Sequence, residues 1–121
     1  MPTNVFAMEN ESNIQNIASP KAGDVDINET NFPDANFRNY IQNYRNNINK
    51  DGDTVLSATE IQNATELTLF QQGISDLTGI KYFTALTTLK CASNQLTSLD
   101  VSNNTSLTIL DCGDNQLTSL K

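Results

Sequence analysis

A short acidic segment, residues 49–60, has the residue types and the spacing that a calcium ion requires. Counted from its first residue, oxygen-bearing groups fall at positions one, three, five, seven, nine and twelve. They are the side chains of Asn49, Asp51, Asp53, Ser57 and Glu60, together with the main-chain carbonyl of Val55. Because Ca²⁺ takes about six to eight hard oxygen ligands, this spacing fits the chemistry of the ion. The segment is therefore a candidate calcium site of low affinity.

The same segment also has a purely structural interpretation. Its spacing is that of the loops of EF-hand and dockerin domains, but Asn49 stands in place of the usual Asp and Thr54 in place of the usual Gly. Asp51-Gly52 is an ordinary turn dipeptide, and the pair of Ser57 and Glu60 is explained by helix capping alone. Both interpretations stay open. Docking of the dockerin type requires two such loops, and the sequence has one.

The composition argues against most other kinds of site. The 121 residues include no His, which removes imidazole acid–base catalysis and the commonest transition-metal ligand. Asp51, Asp53 and Glu60 form the one carboxylate cluster, and no nucleophile or base accompanies them, so we do not expect an enzyme. A net charge of −7 disfavours nucleic acid and anionic membranes as partners. No apolar run approaches the roughly 18 residues of a membrane span.

A repeat in the second half of the chain determines the expected fold. Leu86–Leu99 returns as Leu107–Leu120, 21 residues later, with its Leu, Cys and Asn positions unchanged, and a weaker copy over Leu67–Leu77 precedes it with an offset of 22. A period of about 20–29 residues with this spacing is typical of the leucine-rich repeat, whose units each add a short strand to a parallel sheet. We therefore predict an α/β fold: a leucine-rich repeat solenoid fragment of about three rungs of parallel strand.

Two short helices are predicted ahead of the repeats. The first has an N-cap at Asp34, an end at Asn46-Asn47, and one apolar face consisting of Phe37, Tyr40, Ile41 and Tyr44. A capping-box pattern at Ser57 and Glu60 starts the second, which runs to about Asn63. Since the first rung of a solenoid has a bare hydrophobic end and a bare strand edge, we expect these helices to cover it as an N-terminal cap.

These patterns divide the chain into three parts. Residues 1–25 are a leader or linker, residues 26–65 the helical cap, and residues 66–121 the repeats. Val5-Phe6-Ala7 is consistent with a signal-peptide remnant and equally with an ordinary polar tail.

The sequence stops one residue after the last rung, so a C-terminal cap is not expected and the sequence has the character of a fragment. The uncapped C-terminal rung predicts a homodimer through its edge and its leucines: Leu107, Leu110, Leu117 and Leu120.

Two residue types inside the repeats have a structural explanation. Cys91 and Cys112 take the inward position that Leu69 holds in the first rung. Parallel strands lie about 4.8 Å apart and keep such Cβ atoms beyond the ~3.8 Å typical of a disulfide, so we expect two reduced thiols in the core. Asn94 and Asn115 stand where the chain leaves each strand, and their amides can bond main-chain groups of the turn as a ladder. The first rung has Gln72 there, so we expect the ladder to begin imperfectly.

We predict the concave face of the sheet as the ligand-binding surface. Its candidate binding residues are Glu66, Thr68, Phe70, Thr88, Lys90, Ile109, Asp111 and Asp114, with Gln71, Ala92, Ser93 and Gly113 between them. Phe70 and Ile109 are apolar where solvent is expected, and such residues are common anchors for partners. The alternative, chance exposure of a few apolar residues in a short array, stays open.

The repeat unit also carries a family resemblance. Leu-x-Cys-x-x-Asn-Gln-Leu-Thr-Ser-Leu-Asp-Val, residues 89–101, resembles the 21-residue cysteine-bearing repeats of bacterial surface proteins related to the internalins. The segments 31–38 and 73–80 resemble the cap and first turn of secreted repeat proteins from Gram-positive bacteria. The resemblance covers roughly residues 26–121. It implies an exported binding protein, secreted or on the cell surface, and we expect it to bind another protein or a surface polymer through the concave sheet. The alternative is a calcium-dependent structural or docking module centred on residues 49–60.

Overall fold

The computed structural model describes residues 23–121, apart from the side chain of Tyr44. The elements in that range are β1 (Val25–Asp26), α1 (Ala35–Gln42), β2 (Val55–Leu56), α2 (Ala58–Asn63), β3 (Glu66–Thr68), β4 (Thr88–Lys90), β5 (Ser98–Leu99), β6 (Ile109–Asp111) and β7 (Ser119–Leu120). Short 3₁₀ helices lie at Tyr44–Asn46 and Ile80–Tyr82. None of the helices within residues 23–121 is long and apolar enough to cross a membrane. The linker predicted for residues 1–25, with its Val5-Phe6-Ala7 triplet, lies almost wholly outside the described residues.

Three parallel strands, one from each repeat, form the main sheet. The strand order is β3-β4-β6, and the register aligns Leu67 with Leu89 and Leu89 with Leu110. Because successive side chains of a strand point to opposite faces, these leucines face the core while their neighbours face outward. A second parallel pair, β5 with β7, aligns Leu99 with Leu120. The offsets of 22 and then 21 residues therefore place equivalent residues side by side, as the sequence predicts.

Asparagine side chains, buried at Asn94 and partly buried at Asn115, hold the turns that follow the strands. Asn94 is 3 % exposed. Its Nδ2 donates to the carbonyls of Leu69, Cys91 and Ala92, and its Oδ1 accepts from the backbone N–H groups of Gln72 and Ile74. Asn115 repeats the pattern one rung later, with its Oδ1 accepting from the Leu96 N–H. The predicted ladder thus begins at Asn94. The exposed Gln72 donates its backbone N–H to Asn94, and its side chain donates only to the nearby Phe70 carbonyl.

Helix α1 starts where the sequence predicts and ends earlier. The Oδ1 of Asp34 accepts from the N–H groups of Asn36 and Phe37, which makes it the N-cap. The predicted end at Asn46-Asn47 is wrong, because the helix stops at Gln42. There the Asn43 side chain accepts from Arg45 N–H, and the Asn46 side chain donates to the Tyr40 carbonyl. These local bonds compete with continued helix and set up the 3₁₀ turn. Helix α2 has the predicted capping box and end.

The segment before the repeats packs directly on the first rung. Phe37 and Ile41 are fully buried, and Tyr40 is partly buried against the same core. Phe32 contacts Phe37 edge-on and also lies 6.4 Å from the ring of Phe83 in the repeat region. Asp34 uses its second oxygen to accept from the N–H groups of Ser75 and Asp76, at 2.8 and 3.2 Å. One carboxylate therefore caps α1 and fixes the first rung against it.

One glycine permits that close contact. Gly79 has φ +109°, and a Cβ built on it would lie 2.4 Å from the Phe32 ring and 2.5 Å from the Asn31 carbonyl. Any side chain here would push the two segments apart.

Candidate functional site

The acidic loop brings together three of the predicted metal-binding side chains. One carboxylate oxygen from each of Asp51, Asp53 and Glu60 lies within 4.8 Å of the other two. Asp51 and Asp53 are exposed, whereas Glu60 is 8 % exposed at the first turn of α2. The cluster forms because the Asp51-Gly52 turn, with Gly52 at φ +73°, folds the loop back onto the start of that helix.

Glu60 is the fixed member of the cluster. Its Oε1 accepts from the Ser57 N–H at 2.9 Å, and its Oε2 accepts from the Lys50 N–H at 2.8 Å. The carboxylate therefore closes the loop from both ends. Each of its oxygens retains a lone pair that can also contact a cation.

Asn49 lies buried at the start of the loop. It is 0 % exposed, and its Nδ2 donates to the Asp53 carbonyl at 2.6 Å. Its Oδ1 is buried and accepts no hydrogen bond from the described residues. The side chain is therefore held in place, while its Oδ1, the atom that could bind a metal ion, has no partner among residues 23–121.

The other two predicted ligands have local roles in the same loop. Ser57 accepts from the Glu60 N–H as the N-cap of α2, and Val55 pairs with Asp26 in the β1–β2 ladder. Sequence reasoning missed Gln42, whose Nε2 donates to the Asp53 carbonyl at 2.6 Å. No sequence signal marked Gln42, because it lies in α1, outside the loop motif. The hydrogen bond from Gln42 links α1 to the loop.

The electrostatics of the loop are unfavourable to an additional negative charge. The pKa of Asp53 is raised above its ordinary value, first by loss of hydration and then by the neighbouring carboxylates of Asp51 and Glu60; the Val55 N–H opposes this by donating to it. The three carboxylates thus repel one another within the loop.

The outward residues of β3, β4 and β6 form a second candidate site, which we call the sheet face. The register builds it in rows: Glu66, Thr88 and Ile109, followed by Thr68, Lys90 and Asp111. The same offsets continue into a row of Phe70, Ala92 and Gly113, supported by backbone bonds from Gln71 to Ala92 and from Ser93 to Gly113. The predicted concave-face residues therefore lie in these rows, apart from Gln71, Ser93 and Asp114. Those three have positive φ at equivalent positions after each strand, and the Ser93 hydroxyl donates to Asp114 at 2.9 Å.

The sheet face combines exposed apolar groups with small neighbours. Phe70 and Ile109 are 50 % and 53 % exposed. Ala92 and Gly113 follow Phe70 across the sheet, so the rest of this row is a strip with almost no side-chain volume. That strip could receive an apolar side chain from a partner.

The charges of the sheet face are of mixed sign with an acidic excess. Lys90 Nζ lies 3.7 Å from a Glu66 carboxylate oxygen, and both side chains are about half exposed. Asp111 and Asp114 are exposed one rung away. The acidic end of the face favours a positively charged partner group.

A shallow depression of about 220 Å³ lies elsewhere on the repeats, between residues 76–81 and 98–103. Its two carboxylates serve their own turns, since Asp76 accepts from Thr78 and Asp100 accepts from Ser102. No sequence-predicted site residue lines it.

Comparisons with known proteins agree with the repeat geometry. Residues 84–121 match the family model for leucine-rich repeats in two copies. Internalin J of Listeria monocytogenes is 36 % identical over 85 residues. The solved functional domain of internalin J, which includes a cysteine ladder, matches with a TM-score of 0.68 at 35 % identity over 85 % of this chain. Internalin F of the same species matches at 26 % identity with a TM-score of 0.60 over 76 % of this chain. The chain carries internalin-like leucine-rich repeats. The resemblance predicted from residues 89–101 is confirmed.

The match covers only a small part of these internalins. The sequence match to internalin J spans 70 % of this chain and 9 % of internalin J. The structural matches span 22 % of the solved internalin J domain and 30 % of the solved internalin F chain. A structure of internalin C2, at 21 % identity and a TM-score of 0.66 over 50 % of its length, shows the fold alone.

The internalin-like cysteines are structural in this chain. Cys91 and Cys112 are both free thiols; Cys91 is fully buried and Cys112 is partly buried. Burial, followed by the proximity of Cys112 and Asp111, raises the pKa of the Cys91 thiol to about 12. It therefore stays protonated at neutral pH and packs as a small apolar side chain. The prediction of reduced core thiols is confirmed for Cys91, and Cys112 is less buried than predicted because β6 is the outer strand of the sheet.

Proposed function

We propose that this chain is a binding module of an exported bacterial leucine-rich repeat protein, and that its sheet face binds another protein. The observation that carries the proposal is the half-exposed pair Phe70 and Ile109 on an otherwise regular sheet. Exposed aromatic residues on a rigid surface are typical binding anchors. Residues 26–65 would act as the cap that holds the first rung, and Phe70 with it, in place.

The geometry supports a partner of defined chemistry. An apolar side chain of the partner would lie over Ala92 and Gly113 against the Phe70 ring, while a basic side chain would approach Asp111 and Asp114. A surface polymer is the alternative ligand, and it would depend less on the apolar anchor. The face is proposed as non-enzymatic because its groups provide contact area and charge.

The proposal is tested by identifying a bound protein and measuring its affinity for sheet-face variants. The immobilised chain is crosslinked to proteins on intact host or bacterial cells, and each captured protein is then purified and titrated directly. Phe70→Ser and Asp111→Lys should each weaken binding about tenfold or more, since the first removes the apolar anchor and the second reverses the charge that would attract a basic side chain.

Thr105→Lys serves as the matched control, because Thr105 is exposed and lies outside the sheet face. It should leave the affinity unchanged. A partner that binds Phe70→Ser and Asp111→Lys as tightly as the wild-type chain would show that the sheet face is not the binding surface.

A further inference from the structure

The acidic loop contains a buried polar atom that the fold does not use. Asn49 is 0 % exposed, and its Oδ1 has no hydrogen-bond partner among residues 23–121. The Nδ2 of the same amide reaches the carbonyl of Asp53, which holds the side chain inside the loop. Leaving a buried oxygen without a partner costs free energy, and such an atom calls for an explanation.

The same loop concentrates negative charge around one point. Asp51, Asp53 and Glu60 each place a carboxylate oxygen within 4.8 Å of the others. An arrangement of this kind is unfavourable by itself and becomes favourable when a cation lies between the oxygens. The orphaned amide oxygen and the converging carboxylates lie in the same loop, and both are oxygen ligands of the kind that Ca²⁺ binds.

We propose that residues 49–60 bind one Ca²⁺ through the Oδ1 of Asn49 and the carboxylates of Asp51, Asp53 and Glu60. The carbonyl of Val55, Ser57 and water would complete the coordination. Ca²⁺ fits better than Mg²⁺, because a short loop of carboxylate and amide ligands suits its larger and more variable coordination sphere. The site is separate from the sheet face and adds a second activity to the molecule.

The ion would act on the segment that supports the first rung. The loop contacts α1 through the bond from Gln42 to the Asp53 carbonyl, and it contacts α2 through Glu60. Calcium bound here therefore links the two helices that precede the repeats. Its effect should appear both as higher thermal stability and as protection of the loop itself.

Calorimetric titration of the 121-residue chain with CaCl₂ provides the direct test. We expect one site with a Kd on the order of 10⁻⁴–10⁻³ M, the range of extracellular calcium modules. Thermal unfolding should shift to higher temperature in CaCl₂ relative to chelator, and MgCl₂ should give a smaller shift. Trypsin cleavage after the exposed Lys50 should slow on addition of calcium.

Asp51→Asn is the sharpest variant. Asp51 is exposed, and its Oδ1 accepts from the Asp53 N–H, a bond that an Asn can keep. The variant should fold normally yet bind calcium about tenfold or more weakly, because a charged ligand is lost. Glu29→Gln is the matched control: it removes the same charge from an exposed residue outside the loop and should keep the full calcium response.

Asn49→Asp tests the orphaned oxygen. The change removes the donor to the Asp53 carbonyl but adds a charged ligand, so the calcium-free chain should melt lower while calcium binding becomes tighter. A purely structural Asn49 would give lower stability in both conditions. Identical melting curves and no heat with CaCl₂, or an Asp51→Asn chain with the full calcium response, would overturn the proposal.

Discussion

The first and last rungs of the repeats have similar sequences and differ in what covers them. At the first end, Phe32, Phe37 and Ile41 lie against the first rung and are 0 % exposed. At the other end Leu110 is only partly buried, and Leu120 is 54 % exposed. Leu99, which is aligned with Leu120 in the separate β5–β7 pair, is 3 % exposed. The burial of a repeat residue is therefore set by its neighbours and not by its own sequence.

The covered end should be the more sensitive to mutation. Phe37→Ala removes a fully buried aromatic ring at the contact with Phe32. It should lower the free energy of unfolding by about 3–5 kcal/mol, a large share of the roughly 5–15 kcal/mol expected of a domain. Thermal or urea unfolding measures the loss. A Phe37→Ala chain with an unchanged midpoint would show that the segment before the repeats does not support the first rung.

Equivalent leucines in adjacent rungs provide a more controlled comparison. Leu89→Ala creates a cavity in a fully buried position and should cost about 2–5 kcal/mol. Leu110→Ala removes the same atoms from a partly exposed position one rung later, and should cost roughly half as much or less because less burial is lost. Urea unfolding of both variants measures the difference. Equal losses would mean that the third rung is as well covered as the second.

The two thiols extend the comparison to chemical reactivity. The pKa of about 12 keeps Cys91 protonated, and its side chain is fully buried. In the native chain at pH 8, iodoacetamide should therefore modify Cys112 first and should reach Cys91 only on unfolding. Peptide mapping by mass spectrometry distinguishes the two sites, and a denatured sample in which both react is the control. Native Cys91 reacting as fast as Cys112 would contradict the observed burial.

Sequence alone predicted the features that depend on periodicity and local capping. The 21-residue offset gave the strand register of Leu89 with Leu110, and the Ser57–Glu60 pair gave the start of α2. Prediction from the sequence failed where side-chain amides form hydrogen bonds with main-chain groups that a longer helix would use. Asn43 and Asn46 end α1 early through their own hydrogen bonds, and an apolar stripe that reaches Tyr44 does not reveal them.

In the candidate sites, too, spacing revealed some of the residues and missed those that act through contacts between distant segments. Loop spacing brought Asp51, Asp53 and Glu60 to attention, and the structure places them together. Strand alternation likewise identified Phe70 and Ile109. The contributions of Gln42 to the loop and of the second Asp34 oxygen to the first rung depend on contacts between distant segments, which no spacing rule shows.

The smallest expected effect concerns the outer side of the third rung. Leu120 is half exposed, and the outer edge of β6 pairs with no strand among residues 23–121. Both could contact a second copy, so the 121-residue chain should self-associate weakly. Light scattering should show the average mass rising with concentration. Leu120→Lys should return the chain to monomer, whereas Thr105→Lys, an equal change of charge at another exposed residue, should not. A constant monomer mass at several hundred micromolar, on the order of the protein concentrations at which weak contacts form, would show that the partly exposed leucines of this rung are shielded well enough by their own loops.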